Sequence, residues 1–375
     1  MTPRRFAIGF MIAAGVLFFG TAIANVAIDP VAVFGTDLFP RRHPNYRYLG
    51  VRDYQRNAKE VDALFFSSSR GYSIDQQRLA NALGAQKLHD QAAPYGLITD
   101  HLPVLEYILR DKASRGEKIK SVFLMLDTDL LGKPPWTNIN IDCFLPPEVT
   151  GGSQARFWWR YLTAVQLLTW RDGIKGAFSR EKNPDPKFMF FSALDRERIS
   201  NTAATFELSR VAAKPARLQS RLPDVAGFLF SEARADAGRE TSSPSAIKND
   251  NSAERFRSYW ITRRPDLERQ LAMIETFVQL CRDYGVKLTI ATTPLEGSNI
   301  ALYRPGELEA IGERLNRITD IWDFAAPGPV TGMTGVWIDY AHFKPAIGAM
   351  MIARMFGGDA AVPDGFGQFR PKTVP

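Results

Sequence analysis

Three consecutive serines follow a short apolar run near the start of the chain. Five of the six residues at 61–66 are apolar, and the serines at 67–69 come next, followed by Arg70. This pattern predicts a buried strand that ends in a turn. Ligands bind beyond the carboxyl ends of strands in open parallel sheets, so Ser69 stands where a nucleophile would meet its substrate. Serine is also common in turns and helix caps, and a purely structural role is the alternative.

A serine nucleophile needs a general base, because its hydroxyl is barely ionised near neutral pH. His342 stands three residues after Asp339 and just before a predicted helix. This spacing lets the Asp339 carboxylate accept the imidazole Nδ1–H and leaves Nε2 to accept the serine proton. The sequence therefore predicts a triad of Ser69, His342 and Asp339, with a capping or surface histidine as the alternative for His342. The other histidines have no comparable setting and are expected to be structural: His43, His89 and His101.

Composition argues against several other kinds of site. The formal net charge is +7, but the basic residues are scattered and do not alternate with aromatic ones, so nucleic-acid binding is not expected. The sequence has no CxxC pair, no histidine or carboxylate cluster and no glycine-rich phosphate loop, so no metal and no cofactor is expected. Cys281 falls on an apolar helical stripe and is expected in the core, and a disulfide with Cys143 is left open.

The N-terminal segment decides the expected compartment. Residues 6–28 contain no charged side chain, which makes 23 residues, and about 20 suffice to cross a bilayer as a helix. Arg4 and Arg5 precede this run and favour a cytoplasmic N-terminus. We therefore expect a single-pass protein of the inner membrane, with the rest of the chain in the periplasm or outside the cell. A signal peptide cleaved near the small residues at 22–24 is the alternative, although the apolar run is long for one.

Strand and helix patterns alternate over much of the remaining chain. Strands are predicted at 61–66, 86–89, 119–126, 286–292 and 318–324, and helices at 75–83, 99–112, 265–284 and 345–356. This alternation indicates an α/β fold with a parallel sheet and helices on both faces.

The expected organisation has four parts, namely a membrane anchor at 1–29, a linker at 30–60, an α/β domain at 61–360 and a C-terminal tail at 361–375. An insertion at about 131–259 interrupts the α/β domain, because no clear strand–helix unit is found there. The insertion contains an aromatic helix pattern at 157–170, which is expected to pack on the core, with a membrane-surface or partner-binding role as the alternative. Its polar stretch at 232–252 is expected to be a loop or disordered.

The serine block and the histidine block together resemble the SGNH/GDSL hydrolase superfamily. Within it, the chain is similar to the membrane-anchored branch that includes the D-alanyl transfer protein of teichoic-acid modification and the alginate O-acetylation proteins. The branch has a G-S-S-R-like block at a strand end, whose last serine corresponds to Ser69, and a D-x-x-H block before an aromatic residue and a proline, found here at 339–345. The segment AIDPVAVFG at 27–35 is similar too. The resemblance covers the core, at roughly 60–130 and 265–356, and the N-terminal anchor, and it implies a flavodoxin-like three-layer α/β/α fold.

The sequence departs from the family pattern in the blocks that supply the oxyanion hole. Ser67 replaces the glycine of the first block, and Asp90 stands where the second block has an asparagine. The third block has no counterpart, since LMLDTDLLG occupies 124–132. The best oxyanion donors that the resemblance leaves are the backbone N–H groups of Ser69 and Gly96. Loss of one such donor costs about a hundredfold or more in rate.

The resemblance implies extracytoplasmic acyl transfer through an acyl-Ser69 intermediate. The substrate class it suggests is a cell-envelope or exported polysaccharide that is O-acetylated or deacetylated. Arg70 is expected either to bind an acidic sugar or to form a structural salt bridge. Activated acyl donors are cytoplasmic, so a multi-pass membrane-bound O-acyltransferase is expected as a partner that delivers the acyl group. The alternatives are a catalytically silent scaffold or carbohydrate-binding subunit, and a lipase or peptidase of secreted substrates.

Overall fold

The computed structural model describes residues 2–36, 38–39, 44–134, 143–167, 170–171, 174, 178, 264–333, 336–337 and 341–373. His43, Asp339 and most of the expected insertion, including 232–252, lie outside these residues. The chain divides into two compact units. The first comprises 1–59, 103–115 and 135–197, and the second comprises 60–102, 116–134 and 198–375.

The second unit contains a six-stranded sheet in the order β2-β1-β3-β4-β5-β6. The first five strands in chain order pair in parallel, and β6 pairs antiparallel to β5. The protein is therefore mixed α/β with a mostly parallel sheet, which confirms this part of the fold class expected from the alternation. The strands are β1 (Ala63–Phe66), β2 (Leu88–Asp90), β3 (Ser121–Leu126), β4 (Lys287–Thr292), β5 (Ile321–Asp323) and β6 (Gln368–Arg370).

Capping signals in the sequence mark the starts of some of the described helices. Asp75 and Asn45 each cap a helix by accepting a backbone N–H with the side chain, and Pro345 opens the last helix at a position where its missing N–H costs nothing. In chain order they are α1 (Pro3–Ile28), α2 (Tyr46–Asn57), a 3₁₀-helix (Ser69–Ser73), α3 (Gln76–Leu83), α4 (Ile98–Ser114), α5 (Pro147–Thr150), α6 (Gln154–Thr163), α7 (Leu267–Asp283), α8 (Gly297–Ile300), α9 (Glu307–Ile318) and α10 (Pro345–Phe356).

Every residue of β1 and β3 is buried, and all of them except Ser121 are apolar, so the centre of the sheet forms an apolar core. Neighbouring residues of a strand point to opposite faces. Phe65 stacks on Phe123 within a cluster that includes buried side chains of α10, whereas Phe66 meets Phe277 of α7 edge-on at a ring distance of 5.6 Å. Cys281 lies on the same face of α7 and is 1% exposed, as its place on the apolar stripe predicted. Both cysteines are within the described part of the chain, as buried thiols and not as a disulfide.

The first unit contains α1, the one described helix that is long and apolar enough to cross a membrane. Its mean hydropathy reaches 2.2 over an 18-residue window. The aromatic helix α6 ends at Thr163, earlier than the expected 170, and packs within this unit. Its buried side chains Phe157 and Tyr161 cluster with Val31, Val33 and Tyr48.

Three boundaries differ from the expected ones. Helix α2 lies within the segment expected to be a linker, and β6 lies within the expected C-terminal tail. Helix α4 starts at Ile98, so Thr99 and Asp100 fall in its first turn and not at its cap. The Asp100 carboxylate still stabilises this helix start, because it accepts the Leu97 N–H at 3.1 Å.

Candidate active site

The three serines after β1 have different environments. Ser67 is buried and donates its hydroxyl to the Ser68 carbonyl at 2.9 Å. Ser68 caps the 3₁₀-helix, and its hydroxyl accepts the Arg70 N–H at 3.1 Å. Ser69 is the first residue of that helix and is only half-buried. Gly71 permits this turn, because a Cβ there would lie 1.7 Å from the Ser67 Oγ.

The structure brings Ser69 and His342 together across 273 residues of sequence. The Ser69 Oγ lies 2.9 Å from the His342 Nε2, and His342 is 7% exposed. This is the distance required of a nucleophile and its general base. The Nε2 acts as the base in the tautomer that carries its proton on Nδ1. Asp339, the expected partner of Nδ1, lies outside the described residues.

The 3₁₀-helix that carries Ser69 also holds the segment that carries His342. The Arg70 Nε donates to the Ala341 carbonyl at 2.7 Å, and the Ser73 hydroxyl donates to the Phe343 carbonyl. The carbonyls on both sides of His342 are thus bound by side chains of one short helix. Phe343 is fully buried in the apolar cluster beside α10, which fixes the segment from the other side. Ser69 and His342 are therefore positioned by the same local structure.

Close backbone contact between α10 and the 3₁₀-helix brings the histidine segment near Ser69. A Cβ at Gly348 would lie 2.3 Å from the Ser73 carbonyl oxygen, so only glycine fits there without a shift. The segment just before α10 is fixed further by a hydrogen bond of 2.8 Å from the Lys344 N–H to the Val336 carbonyl. Gly348 thus permits the spacing in which His342 reaches the serine.

Arg70 is buried and bonded to protein groups. Its Nη1 and Nη2 each bind one oxygen of Asp129 at 2.7 Å, and Nη1 also donates to the Thr293 hydroxyl at 2.9 Å. Asp127 lies 3.5 Å from the same Nη1. Burial opposes the charge on Arg70, but the two carboxylates outweigh it and raise its pKa. Of the two expected roles of Arg70, this geometry favours the structural ion pair.

Asp127 and Asp129 lie beside the candidate site through Arg70, and sequence reasoning missed them. They follow the carboxyl end of β3, while Ser69 follows the carboxyl end of β1, and the strand order changes direction between these two strands. Ligands bind at such a switch point in open parallel sheets. Burial raises the pKa of Asp129, but the charge and hydrogen bonds of Arg70 outweigh it and lower the pKa to about 2. Burial raises the pKa of Asp127, against the opposing charge of Arg70.

Gly96 has a packing role that conflicts with the expected oxyanion contact. Its N–H donates to the Ala93 carbonyl at 2.9 Å, so this donor is already used within a turn. A Cβ at Gly96 would lie 2.7 Å from the Ser67 carbonyl oxygen and 2.8 Å from the His101 ring. Glycine is needed here for close packing beneath the serine block.

The remaining described histidines are buried among protein groups. The His89 Nε2 lies 3.1 Å from the Gln91 side-chain oxygen, and the His101 ring packs on Phe66 at 5.4 Å. Within the described ranges, no group of three or more histidine, cysteine or acidic side chains is arranged to hold a metal ion.

A scan against protein-family models and a search of curated proteins find no match for this chain. The candidate chemistry therefore rests on the residues of the site itself. These are a half-buried serine, a buried imidazole at hydrogen-bond distance from it, and a buried ion pair that holds the imidazole segment.

Proposed function

We propose that this chain is an extracytoplasmic, serine-dependent acyl-transfer enzyme. The observation that carries the proposal is the 2.9 Å distance between the Ser69 Oγ and the His342 Nε2 at the carboxyl end of β1. Such a pair suits attack on an ester carbonyl, because the imidazole accepts the proton as the serine oxygen forms its new bond.

The proposed reaction has two halves. The Ser69 Oγ attacks the carbonyl carbon of an ester while His342 takes the hydroxyl proton. The protonated imidazole then gives this proton to the leaving oxygen as the old ester bond breaks, which leaves an acyl-Ser69. In the second half, His342 takes a proton from a sugar hydroxyl or from water as its oxygen attacks the acyl-serine, and returns the proton to Ser69. The sugar acceptor gives transfer, and water gives hydrolysis.

Two more groups have proposed roles in this reaction. Asp339 would accept the Nδ1–H and so keep the tautomer in which Nε2 is the base. The Ser69 N–H would donate to the oxyanion, because the first N–H groups of a helix have no acceptor within it. The engaged N–H of Gly96 leaves the Ser69 N–H as the better of the two expected donors.

We also propose the finer fold assignment. The order β2-β1-β3-β4-β5 is that of flavodoxin-like sheets, and the contacts of Phe65 and Phe66 with different helices support layers on both faces. This fold and the two sequence blocks support the resemblance to membrane-anchored SGNH/GDSL proteins. By that resemblance, the substrate would be an O-acetylated cell-envelope or exported polysaccharide.

The proposed setting is the outer face of the inner membrane. Helix α1 is long enough to span the bilayer, and Arg4 and Arg5 at its start favour a cytoplasmic N-terminus. Ser69 would then lie on the far side from the cytoplasmic acyl donors. A single helix offers no route for an acyl group through the bilayer. A transferase in this place needs a multi-pass membrane-bound O-acyltransferase that delivers the acyl group.

A catalytically silent subunit that binds or positions a polysaccharide is the second candidate. The observation that favours it is the engaged N–H of Gly96, together with the absence from the sequence of the asparagine that the third family block supplies. Such a subunit would keep the fold and the serine–histidine contact without rapid turnover.

Covalent labelling distinguishes the two candidates. The full chain, in detergent or native membranes, is treated with a fluorophosphonate, which reacts with activated serines. An enzyme is labelled on Ser69, and both Ser69→Ala and His342→Ala lose the label, whereas Ser68→Ala keeps it. No labelling of the folded wild-type chain, or a label on another serine, contradicts the proposed activity.

A further inference from the structure

Helix α6 and the residues after it are bound to the C-terminal half of α1 within the first unit. The Asn25 side chain donates to the Leu162 carbonyl at 3.1 Å and to the Ala164 carbonyl at 2.9 Å, and it accepts the Trp170 Nε1–H at 2.9 Å. Asn25 is 1% exposed. A polar side chain of an apolar helix therefore fixes the aromatic segment in place.

The contact between the two helices extends along α1 toward its N-terminus. The Trp159 ring of α6 packs on Phe18 with ring centres 5.4 Å apart. Phe18 precedes Asn25 by seven residues, which corresponds to about 10 Å of helix. If the 20 residues that end at Asn25 span the hydrocarbon core of about 30 Å, Trp159 lies below the surface of that core.

Three large apolar side chains of this segment are exposed. Trp159 is 58% exposed, Val165 66% and Leu167 67%. Arg156 and Arg160 are exposed on the same short helix. Tryptophan beside arginine is the composition that favours the boundary between lipid headgroups and acyl chains. We refer to Trp159, Val165 and Leu167 as the α6 surface.

We propose that the α6 surface is immersed in the outer-leaflet interface of the same bilayer that α1 spans, with Arg156 and Arg160 at anionic headgroups. Lipid is the occupant because the surface is continuous with α1, and Trp159, which packs on Phe18, lies at the depth of the acyl chains. The long arginine side chains can extend toward the phosphates while their stems stay in the apolar region. This inference rests on the proposed membrane anchor and not on the proposed acyl chemistry.

The consequence is a second membrane contact in addition to the spanning helix. One helix alone leaves its attached domain free to rotate and tilt. A second apolar contact beside it would hold the first unit at a fixed height and orientation against the membrane. The basic side chains would make this contact sensitive to the content of anionic lipid.

The test uses the full chain in proteoliposomes of phosphatidylglycerol and phosphatidylethanolamine. A cysteine introduced as Leu167→Cys is labelled with an environment-sensitive nitrobenzoxadiazole dye. Two lipids serve as quenchers, one with a nitroxide near the carbonyl and one with a nitroxide near the end of the acyl chain, so that dyes at the interface and at the bilayer centre are both reached. Val16→Cys, on the exposed side of α1, is the control for lipid, and Glu313→Cys, 58% exposed on α9, is the control for water. The wild-type chain, whose two cysteines are buried, gives the background label.

We expect the dye at residue 167 to show blue-shifted emission and quenching by a nitroxide lipid, as at residue 16 and unlike residue 313. Water-like emission at 167, quenched by aqueous iodide, overturns the proposal when residue 16 is in lipid. That outcome would favour a protein partner on this surface. Water-like emission at residue 16 overturns the anchor and this proposal together. Hydrolysis of small acetyl esters is measured on the same samples, so failure of the acyl chemistry is seen separately.

A second comparison tests whether Arg156 and Arg160 bind anionic headgroups. The Leu167→Cys chain and the same chain with Arg156→Gln and Arg160→Gln are compared in vesicles with phosphatidylglycerol and in vesicles of phosphatidylcholine alone. We expect the blue shift at residue 167 to be larger with the anionic lipid, and this difference to disappear when both arginines are replaced. An unchanged difference shows that the headgroup assignment is wrong.

Discussion

The three serines after β1 form a natural set of controls, because their hydroxyls have different neighbours. Ser69 Oγ contacts the His342 imidazole, Ser68 Oγ caps the 3₁₀-helix, and Ser67 Oγ bonds a neighbouring carbonyl. Replacing Ser69 should therefore change activity and not stability, whereas replacing Ser68 should change stability and not activity.

Ser69→Ala should abolish acyl transfer while leaving the thermal midpoint nearly unchanged. Loss of a triad member removes roughly a thousandfold or more of rate. His342→Ala should lower the rate by about as much, and the double variant should lower it little further, because the two groups act as one unit.

Ser68→Ala is the control: it should lose about 1 kcal/mol of stability with its cap but keep activity. Steady-state kinetics and thermal unfolding measure both effects. Additive losses from Ser69→Ala and His342→Ala would argue against the pair.

Arg70 should behave as a positioning residue for His342. Lysine cannot reproduce the paired bonds to Asp129 together with the Nε bond to the Ala341 carbonyl. Arg70→Lys should therefore lower kcat for a small acetyl ester with little change in KM, and it should also destabilise the fold by about 3 kcal/mol.

Arg264→Lys is the matched control for Arg70→Lys. Arg264 is also buried and donates Nη1 to the carbonyls of Thr128 and Leu131, each at 2.7 Å, but these contacts are away from the histidine segment. It should lose stability and keep kcat. Equal falls in kcat for the two variants, at a temperature where both are folded, would show that Arg70 acts on activity only through stability.

At the scale of elements, α10 can approach the 3₁₀-helix only because residue 348 has no side chain. Gly348→Ala should force these two elements apart, since the new Cβ meets the Ser73 carbonyl oxygen at 2.3 Å. Overpacking of this kind costs about 1–3 kcal/mol. The separation should also lengthen the Ser69–His342 contact and slow fluorophosphonate labelling. Gly15→Ala is the control, because a Cβ at that helical position has no neighbour within 4 Å among the described residues. Undiminished labelling of folded Gly348→Ala would contradict this account.

The N-terminal ends of β1, β2 and β3 lie opposite the candidate site and are joined by one carboxylate. Just before β1, the Asp62 carboxylate accepts the backbone N–H groups of Gln86 and Lys87 and binds the Lys120 Nζ at 2.8 Å. These contacts join the starts of β1, β2 and β3. Burial raises the pKa of Asp62, but the bonds from Lys120 and the two N–H groups outweigh it and lower the pKa below its ordinary 3.8.

Asp62→Asn should therefore reduce stability without affecting labelling of Ser69. The folded state favours the Asp62 carboxylate, so its contribution is present above pH 3.8 and is lost as the pH falls through the lower folded pKa. Urea unfolding of both proteins should show wild type more stable by about 2 kcal/mol at pH 7, with the gap narrowing below pH 4. A gap that stays constant down to acid unfolding would mean that the Asp62 charge is not involved.

A helix or strand can be predicted from the sequence when its apolar pattern is long enough to recognise. β1 and β3 are continuous apolar runs, and α10 matches its expected bounds at 345–356 because Pro345 and the apolar pattern mark it. β6 spans three residues, too few for a period, and its pairing with β5 depends on contacts distant in sequence. The sequence did not predict α2, because its buried side chains Tyr48, Val51 and Tyr54 stand among arginines and form no clear apolar stripe.

At the scale of the whole molecule, the predicted site depends on contacts that only the fold brings together. The serine and the histidine are recognisable from their neighbours in sequence, and the structure brings them to hydrogen-bond distance. The pair of Arg70 with Asp129 joins residues 59 positions apart, and no local pattern indicates it. A backbone donor such as the Gly96 N–H is even less visible, because any residue has one and its acceptor is set by the turn.

Two replacements of the N-terminal segment test what α1 contributes beyond Ser69 and His342, which both lie in the second unit. In the first form, residues 1–28 are exchanged for a cleavable signal peptide, which also removes Asn25. In the second, only residues 6–17 are exchanged for another uncharged apolar sequence, so that Phe18 and Asn25 keep their contacts with α6. Both forms are measured for hydrolysis of a small acetyl ester and for acylation of polysaccharide in cells.

We expect both forms to hydrolyse the small ester, because Ser69 and His342 both belong to the second unit and the exchanged residues belong to the first. The cleaved form should largely fail to acylate polysaccharide, since tethering to one membrane raises the effective concentration of the enzyme near its acyl-delivering partner. The form with a foreign span should acylate normally if tethering and the α6 contacts suffice. Failure of that form would indicate that residues 6–17 themselves contact the partner. Full acylation by the cleaved form would refute the membrane partner and leave a secreted esterase as the better account of the Ser69–His342 pair.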